Sequence, residues 1–104
     1  MRYDIILAPE AAHDLRGLKA NVRSTVRDAL ERHLRHQPLK ESKSRIKRLR
    51  GLAHPQYRLR IGDVRVFYDV TETAVEILAI VRKPDADAWL AQAGQAETEE
   101  EESS

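Results

Sequence analysis

The stretch "YRLRIGDVRVFYDV", residues 57–70, constrains the chain more than any other. Two runs of alternating apolar residues meet at Gly62-Asp63, a dipeptide that suits a two-residue hairpin turn with glycine at its first central position. A fold at that point sets the register: Ile61 faces Val64, Arg60 faces Arg65, Leu59 faces Val66 and Arg58 faces Phe67. Tyr57, Leu59, Ile61, Val64, Val66, Tyr68 and Val70 then share an apolar face. Arg58, Arg60, Arg65 and Phe67 share the other, with Asp69 at its far end. Like charges directly opposite one another destabilise a strand pair, so this face needs a reason.

The rest of the chain builds a setting for the hairpin. "RYDIILA" (2–8) alternates as a strand, and Pro9 suits the first turn of a helix carrying Ala11, Leu15 and Leu18 on one face. Gly17 weakens that helix by about 1 kcal/mol relative to alanine. Asn21 is placed to cap a second helix with the stripe Val22, Val26, Ala29, Leu30, Leu34, which Pro38 stops. The short link predicts a helix hairpin. "IKRLRG" (46–51) reads as a short edge strand and "LAHPQ" as a turn. "AVEILAIVRK" (74–83) is almost continuously apolar, as expected of a central strand. Pro84 ends it, and Asp85 is placed to cap a last short helix with Trp89. The order predicts an α+β fold: a small, mostly antiparallel sheet, an N-terminal helix hairpin on one face and a short C-terminal helix. One domain is expected over 1–96, followed by a disordered acidic tail over 97–104.

Charge is distributed unevenly. The chain has 104 residues and a net charge of +1. "ETEEEESS" alone holds five glutamates; the remainder carries 18 basic and 12 acidic residues, or +6. Residues 40–60 contain eight Lys or Arg and one acid, Glu41. Such a balance points to a polyanionic partner. There is no cysteine, which excludes disulfides and thiolate metal sites. His33 and His36 lie at i, i+3, a weak metal signal, so no metal and no cofactor is expected. No apolar run reaches the roughly 18 residues of a membrane span, so a soluble, cytoplasmic protein without a membrane partner is expected.

Ordinary solvation accounts for polarity on the outer hairpin face, but not for a set of arginines without a matching acid. Guanidinium forks fit phosphate oxygens, and Phe67 beside them reads as a stacking plate for an unpaired base. Lys47, Arg48, Arg50, Phe67 and Trp89 are therefore the candidate nucleic-acid contacts.

Four segments resemble the RelE-type toxins of bacterial type II toxin–antitoxin systems, within the RelE/ParE superfamily: "YDIILAPEAAHDLRGL", "LRG" at 49–51, "YRLRIGDVRVFYDV" and "VEILAIVRKPDADAW". The resemblance implies a metal-independent mRNA endonuclease that cuts in the ribosomal A site by attack of a ribose 2′-OH on the adjacent phosphate. It implies a cognate antitoxin, ribosome and mRNA as partners, with a heterotetramer among the assemblies formed with the antitoxin. By position, Arg58, Arg60 and Arg65 match the family's basic strand residues, and Arg82 and Lys83 its terminal basic pair. These are the expected catalytic residues. Where many active members carry a tyrosine, this chain has Trp89, which leaves proton transfer without an owner; Lys83 comes first as a candidate and His54 second. Two other readings remain: a catalytically weak toxin acting as antitoxin-binding partner and co-repressor, and a ParE-like gyrase inhibitor.

Overall fold

The chain runs β1 (Asp4–Leu7), α1 (Pro9–Arg16), α2 (Ala20–Leu34), β2 (Ile46–Arg48), β3 (Leu52–His54), β4 (Tyr57–Ile61), β5 (Val64–Val70) and β6 (Ala74–Arg82). A 3₁₀ turn (Lys83–Asp85), α3 (Ala86–Ala93) and β7 (Gln95–Ala96) follow. This computed structural model describes residues 1–97. The tail expected at 97–104 lies outside the described residues from 98 onward. Among the described residues no helix is long and apolar enough to cross a membrane.

Five strands form one sheet in the order β1-β6-β5-β4-β2. β1 runs parallel to β6, and the other pairings are antiparallel. The β4–β5 hairpin has the expected register, with Arg60 opposite Arg65 and Arg58 opposite Phe67. Gly62 sits at φ +56°, a left-handed conformation that glycine adopts without a Cβ clash.

The apolar hairpin face packs under the helices. Leu59, Ile61, Val64, Val66 and Tyr68 join Ala11, Leu15, Val26, Leu30 and Leu34 in one core, with Tyr57 and Val70 packed against it. Asp14 of α1 accepts the Ile80 N–H at 2.9 Å, close to the register slip between Phe67 and Tyr68. A bulge leaves a strand amide without its ladder partner, and the helix carboxylate supplies one.

A second apolar cluster lies on the opposite side of the sheet. Phe67, Ala79 and Ala86 form it, with Leu49, Val81, Trp89 and Leu90 around them. α3 thus covers part of the face that the sequence leaves open.

Local expectations differ in three places. α2 begins at Ala20 with Lys19 as its N-cap residue, so Asn21 lies inside the first turn and caps nothing. Asp85 precedes α3 but makes no capping bond, because the 3₁₀ turn already carries the chain into the helix. Leu52–His54, expected as a turn, is a strand, and it pairs with Gln95–Ala96. Neither of these two short segments carries an apolar alternation of its own; the pairing brings them into line.

Candidate functional site

Strand alternation and register resolve the outer sheet face into rows. Nearest the hairpin turn, Arg60, Arg65 and Val81 lie side by side. The next row is Lys47, Arg58, Phe67 and Ala79. The far row holds Asp69 and Glu76, continuing to Ile6 on β1. Lys47 thus adds a third like charge beside Arg58, from the edge strand β2.

The arginines meet their repulsion in different ways. Arg65 is only 6% exposed, and its Nη1 donates to the carbonyls of Gly62 at 2.8 Å and Val64 at 3.1 Å. Carbonyl dipoles at the turn therefore absorb part of its charge. Burial first, and then Arg60, hold its guanidinium below the usual arginine range, with Asp63 opposing them. Arg58 is half-buried, and its Nε is enclosed without any hydrogen-bond partner. Burial, then Arg65, then Arg60 push its ionisation down as well. Arg60 and Lys47 are exposed. Among the described residues, the close contacts of carboxylates with basic side chains are Arg35–Glu31, His54–Asp69 and Arg82–Asp63, so no carboxylate neutralises the Lys47–Arg58–Arg60–Arg65 group.

Several expected site residues lie elsewhere. Arg82 faces Val64 in register and so belongs to the helix side of the sheet; its Nη2 pairs with Asp63 at 3.0 Å. There it borders a groove of about 550 Å³ with Leu18, Val22 and Ile61. Lys83 is exposed at the end of β6. Arg48 faces Tyr57, lies 5.4 Å from its ring centroid and donates to the Gln56 carbonyl at 2.8 Å. It therefore clamps β2 to β4 on the helix side. Arg50 is exposed in the turn between β2 and β3.

Phe67 is not an open stacking plate. It is fully buried, and the Trp89 ring stacks on it at 4.9 Å and 11°. Trp89 also donates from Nε1 to Glu10 at 2.7 Å, which ties α3 to α1. The aromatic pair serves packing, because the apolar residues around Phe67 need a cover that the arginines cannot give.

Sequence reasoning gave His54 no partner, and the fold supplies one. Its Nδ1 lies 2.6 Å from Asp69 Oδ2. Asp69 Oδ1 accepts the Gln56 N–H at 2.8 Å, and the Gln56 side-chain oxygen accepts the Val70 N–H at 2.9 Å. The separation of 15 positions between His54 and Asp69 hid the pair; the only signal was an acid ending the arginine face. Among the described residues, no three or more His, Cys, Asp or Glu side chains gather in a metal-binding arrangement.

Comparison with known proteins places this geometry in context. The family model described as ParE toxin of type II toxin–antitoxin system, parDE, matches residues 5–85. No curated protein matches the chain. Among solved structures, the RelBE2 toxin–antitoxin complex of Mycobacterium tuberculosis superposes with a TM-score of 0.60 at 24% identity, covering 79% of this chain and 99% of that one. The archaeal RelE–RelB complex of Pyrococcus horikoshii gives 0.60 at 26% identity, over 80% and 97%. The YoeB dimer of Staphylococcus aureus gives 0.57 at 20% identity, over 76% and 94%, a likeness of fold.

Proposed function

The chain belongs to the ParE toxin family of the RelE/ParE superfamily, the toxins of type II toxin–antitoxin systems, and from that premise we propose that it arrests translation by cleaving mRNA on the ribosome. One observation carries the reading. Arg58 holds an enclosed, unpartnered Nε on a face whose other cations lack carboxylates. Clustered like charges without counter-charges repel one another, and RNA phosphates, which guanidinium groups fit bidentately, would relieve that repulsion.

The chemistry follows from that charge. Attack of a ribose 2′-OH on the adjacent phosphorus places negative charge on the equatorial and leaving oxygens. Fixed guanidinium groups stabilise that charge without reorganising. Arg58 and Arg60 are the groups able to reach it. Arg65, already bound to the turn carbonyls, holds the hairpin end and adds to the field. Lys83 adds positive charge at the end of β6. A cognate antitoxin, the partner present in the solved complexes of M. tuberculosis and P. horikoshii, would inactivate the toxin by covering this face with acidic side chains.

Primer extension on a reporter mRNA after induction tests the reading. New 5′ ends in codon register are expected, and Arg58→Ala should reduce them by about 10²–10³-fold, the loss of one charge-stabilising group. Intact mRNA at growth-arresting levels of toxin overturns it. The match to the ParE family model favours a second reading, gyrase inhibition; induction of a DNA-damage response with translation unaffected would select it.

A further inference from the structure

We propose that His54 is the general base of this cleavage and that Asp69 positions it; the inference rests on the nuclease reading above. A carboxylate oxygen only accepts hydrogen bonds, so the 2.6 Å contact places a proton on His54 Nδ1. The lone pair is then on Nε2, and the ring is 51% exposed while Asp69 is 10% exposed. One end of the histidine is therefore anchored in the sheet, and the other meets solvent, where the neutral ring offers its lone pair.

The anchor is itself fixed. Both oxygens of Asp69 are used, one by His54 and one by the Gln56 N–H. The Gln56 side chain is held in turn by the Val70 N–H. Asp69 on β5 is thus held by the amide of Gln56 in the β3–β4 link, which is itself tied back to β5.

Position supports the role. Arg58 faces Phe67, and Asp69 stands two residues further along the same face. Such diagonal neighbours lie about 7–8 Å apart. The carboxylate that holds the histidine is thus a diagonal neighbour of Arg58 on the outer face. A phosphate held by Arg58 would therefore have a base close to it, a role that Trp89 cannot fill at neutral pH.

The step balances as follows. His54 Nε2 takes the proton of the 2′-OH as the O2′–P bond forms. The P–O5′ bond breaks, and the 5′ oxygen takes a proton from solvent. The products are a 2′,3′-cyclic phosphate and a 5′-OH end, and the imidazolium returns its proton to water. Asp69 on β5 holds the ring, and the charged groups next to Asp69 on the sheet are Glu76 opposite it on β6 and Arg58 diagonal to it on β4. β7 brings the uncharged Gln95 opposite His54, with Glu97 just beyond.

The test is single-turnover cleavage by the full-length protein on ribosomes carrying a defined mRNA, measured against pH. The wild type should lose rate on the acid side, where the ring is protonated. His54→Ala should fall by about 10²–10⁴-fold, the usual contribution of a positioned base, and should lose that acid limb. Free imidazole should restore part of the rate. His54→Gln, which keeps a polar side chain near Asp69, should be equally slow with an unchanged melting temperature. Asp69→Asn should slow cleavage less than His54→Ala. His54 variants within about threefold of wild type, or slow variants that keep the wild-type acid limb, overturn the dyad and leave the nuclease reading standing. A wild-type protein that leaves ribosome-bound mRNA intact overturns both.

Discussion

Arg58 is a residue kept against local stability. Its Nε has no partner, its neighbours in register and along the strand are cations, and Phe67 beside it is fully buried. Methionine has a similar volume and neither charge nor donor. Arg58→Met should therefore unfold at equal or higher denaturant concentration, with a gain of about 1 kcal/mol, from relieving an unpaired donor. Its mRNA cleavage should fall in parallel with Arg58→Ala; urea titration and primer extension on the same preparation check the pair of effects. Tyr68 shows the opposite economy. It is fully buried and donates to the Pro38 carbonyl at 2.7 Å. Burial, then Tyr57 and Glu41, push its ionisation far above the ordinary tyrosine range. Because the folded-state pKa is raised, this contribution is complete below the unfolded value of about 10 and is lost as pH rises above it. Stability should drop above pH ~10, and Tyr68→Phe should flatten that drop. At pH ~7 the same change should cost about 0.5–1.5 kcal/mol for the lost hydrogen bond. Denaturation curves on both sides of the tyrosine pKa measure it.

At the scale of elements, α3 is the piece whose role the sequence hides. It is eight residues long and is held on the sheet by few partners: the Phe67–Trp89 stack, the Trp89–Glu10 hydrogen bond and the contacts of Ala86 and Leu90. Trp89→Ala removes the first two. We expect α3 amides to exchange with solvent much faster in that variant, while β5 and β6 keep their protection; hydrogen exchange read by NMR decides it. Equal loosening of β5 would show that the stack supports the whole sheet. The hairpin, by contrast, was legible to the residue. Period-2 alternation and Gly62 fix which side chains face the helices, because a one-residue slip would bury Arg58 and Arg60 in place of Leu59 and Ile61. The outer face was legible only in part. Alternation places Phe67 among arginines but cannot tell that α3, some 20 residues on, lies over it. The same limit explains Arg82: "RK" reads as one basic pair, yet adjacent strand residues point to opposite faces. The His54–Asp69 pair joins a segment read as a turn to the end of a strand, a contact made by tertiary pairing alone.

On the outer sheet face, Lys47, Arg58 and Arg60 are cations without a paired acid, and Lys83 is exposed at the strand end, while Arg82 and Arg35 are engaged with acids elsewhere. If RNA lies on the outer sheet face, these four side chains set the number of phosphates neutralised. Single strands release about 0.7 counterion per contact, so the logarithm of the association constant should fall with the logarithm of salt at a slope of about −2.8. Lys47→Ala, Arg60→Ala and Lys83→Ala should each reduce the slope by about 0.7. Arg82→Ala should leave it unchanged, because its guanidinium sits on the helix side against Asp63. Fluorescence anisotropy with a short single-stranded RNA, over a series of salt concentrations, reads all of these slopes. An Arg82→Ala slope reduced as much as that of Lys47→Ala would mean that the RNA wraps around the hairpin end, and the strand would then follow the edge of the sheet rather than its outer face.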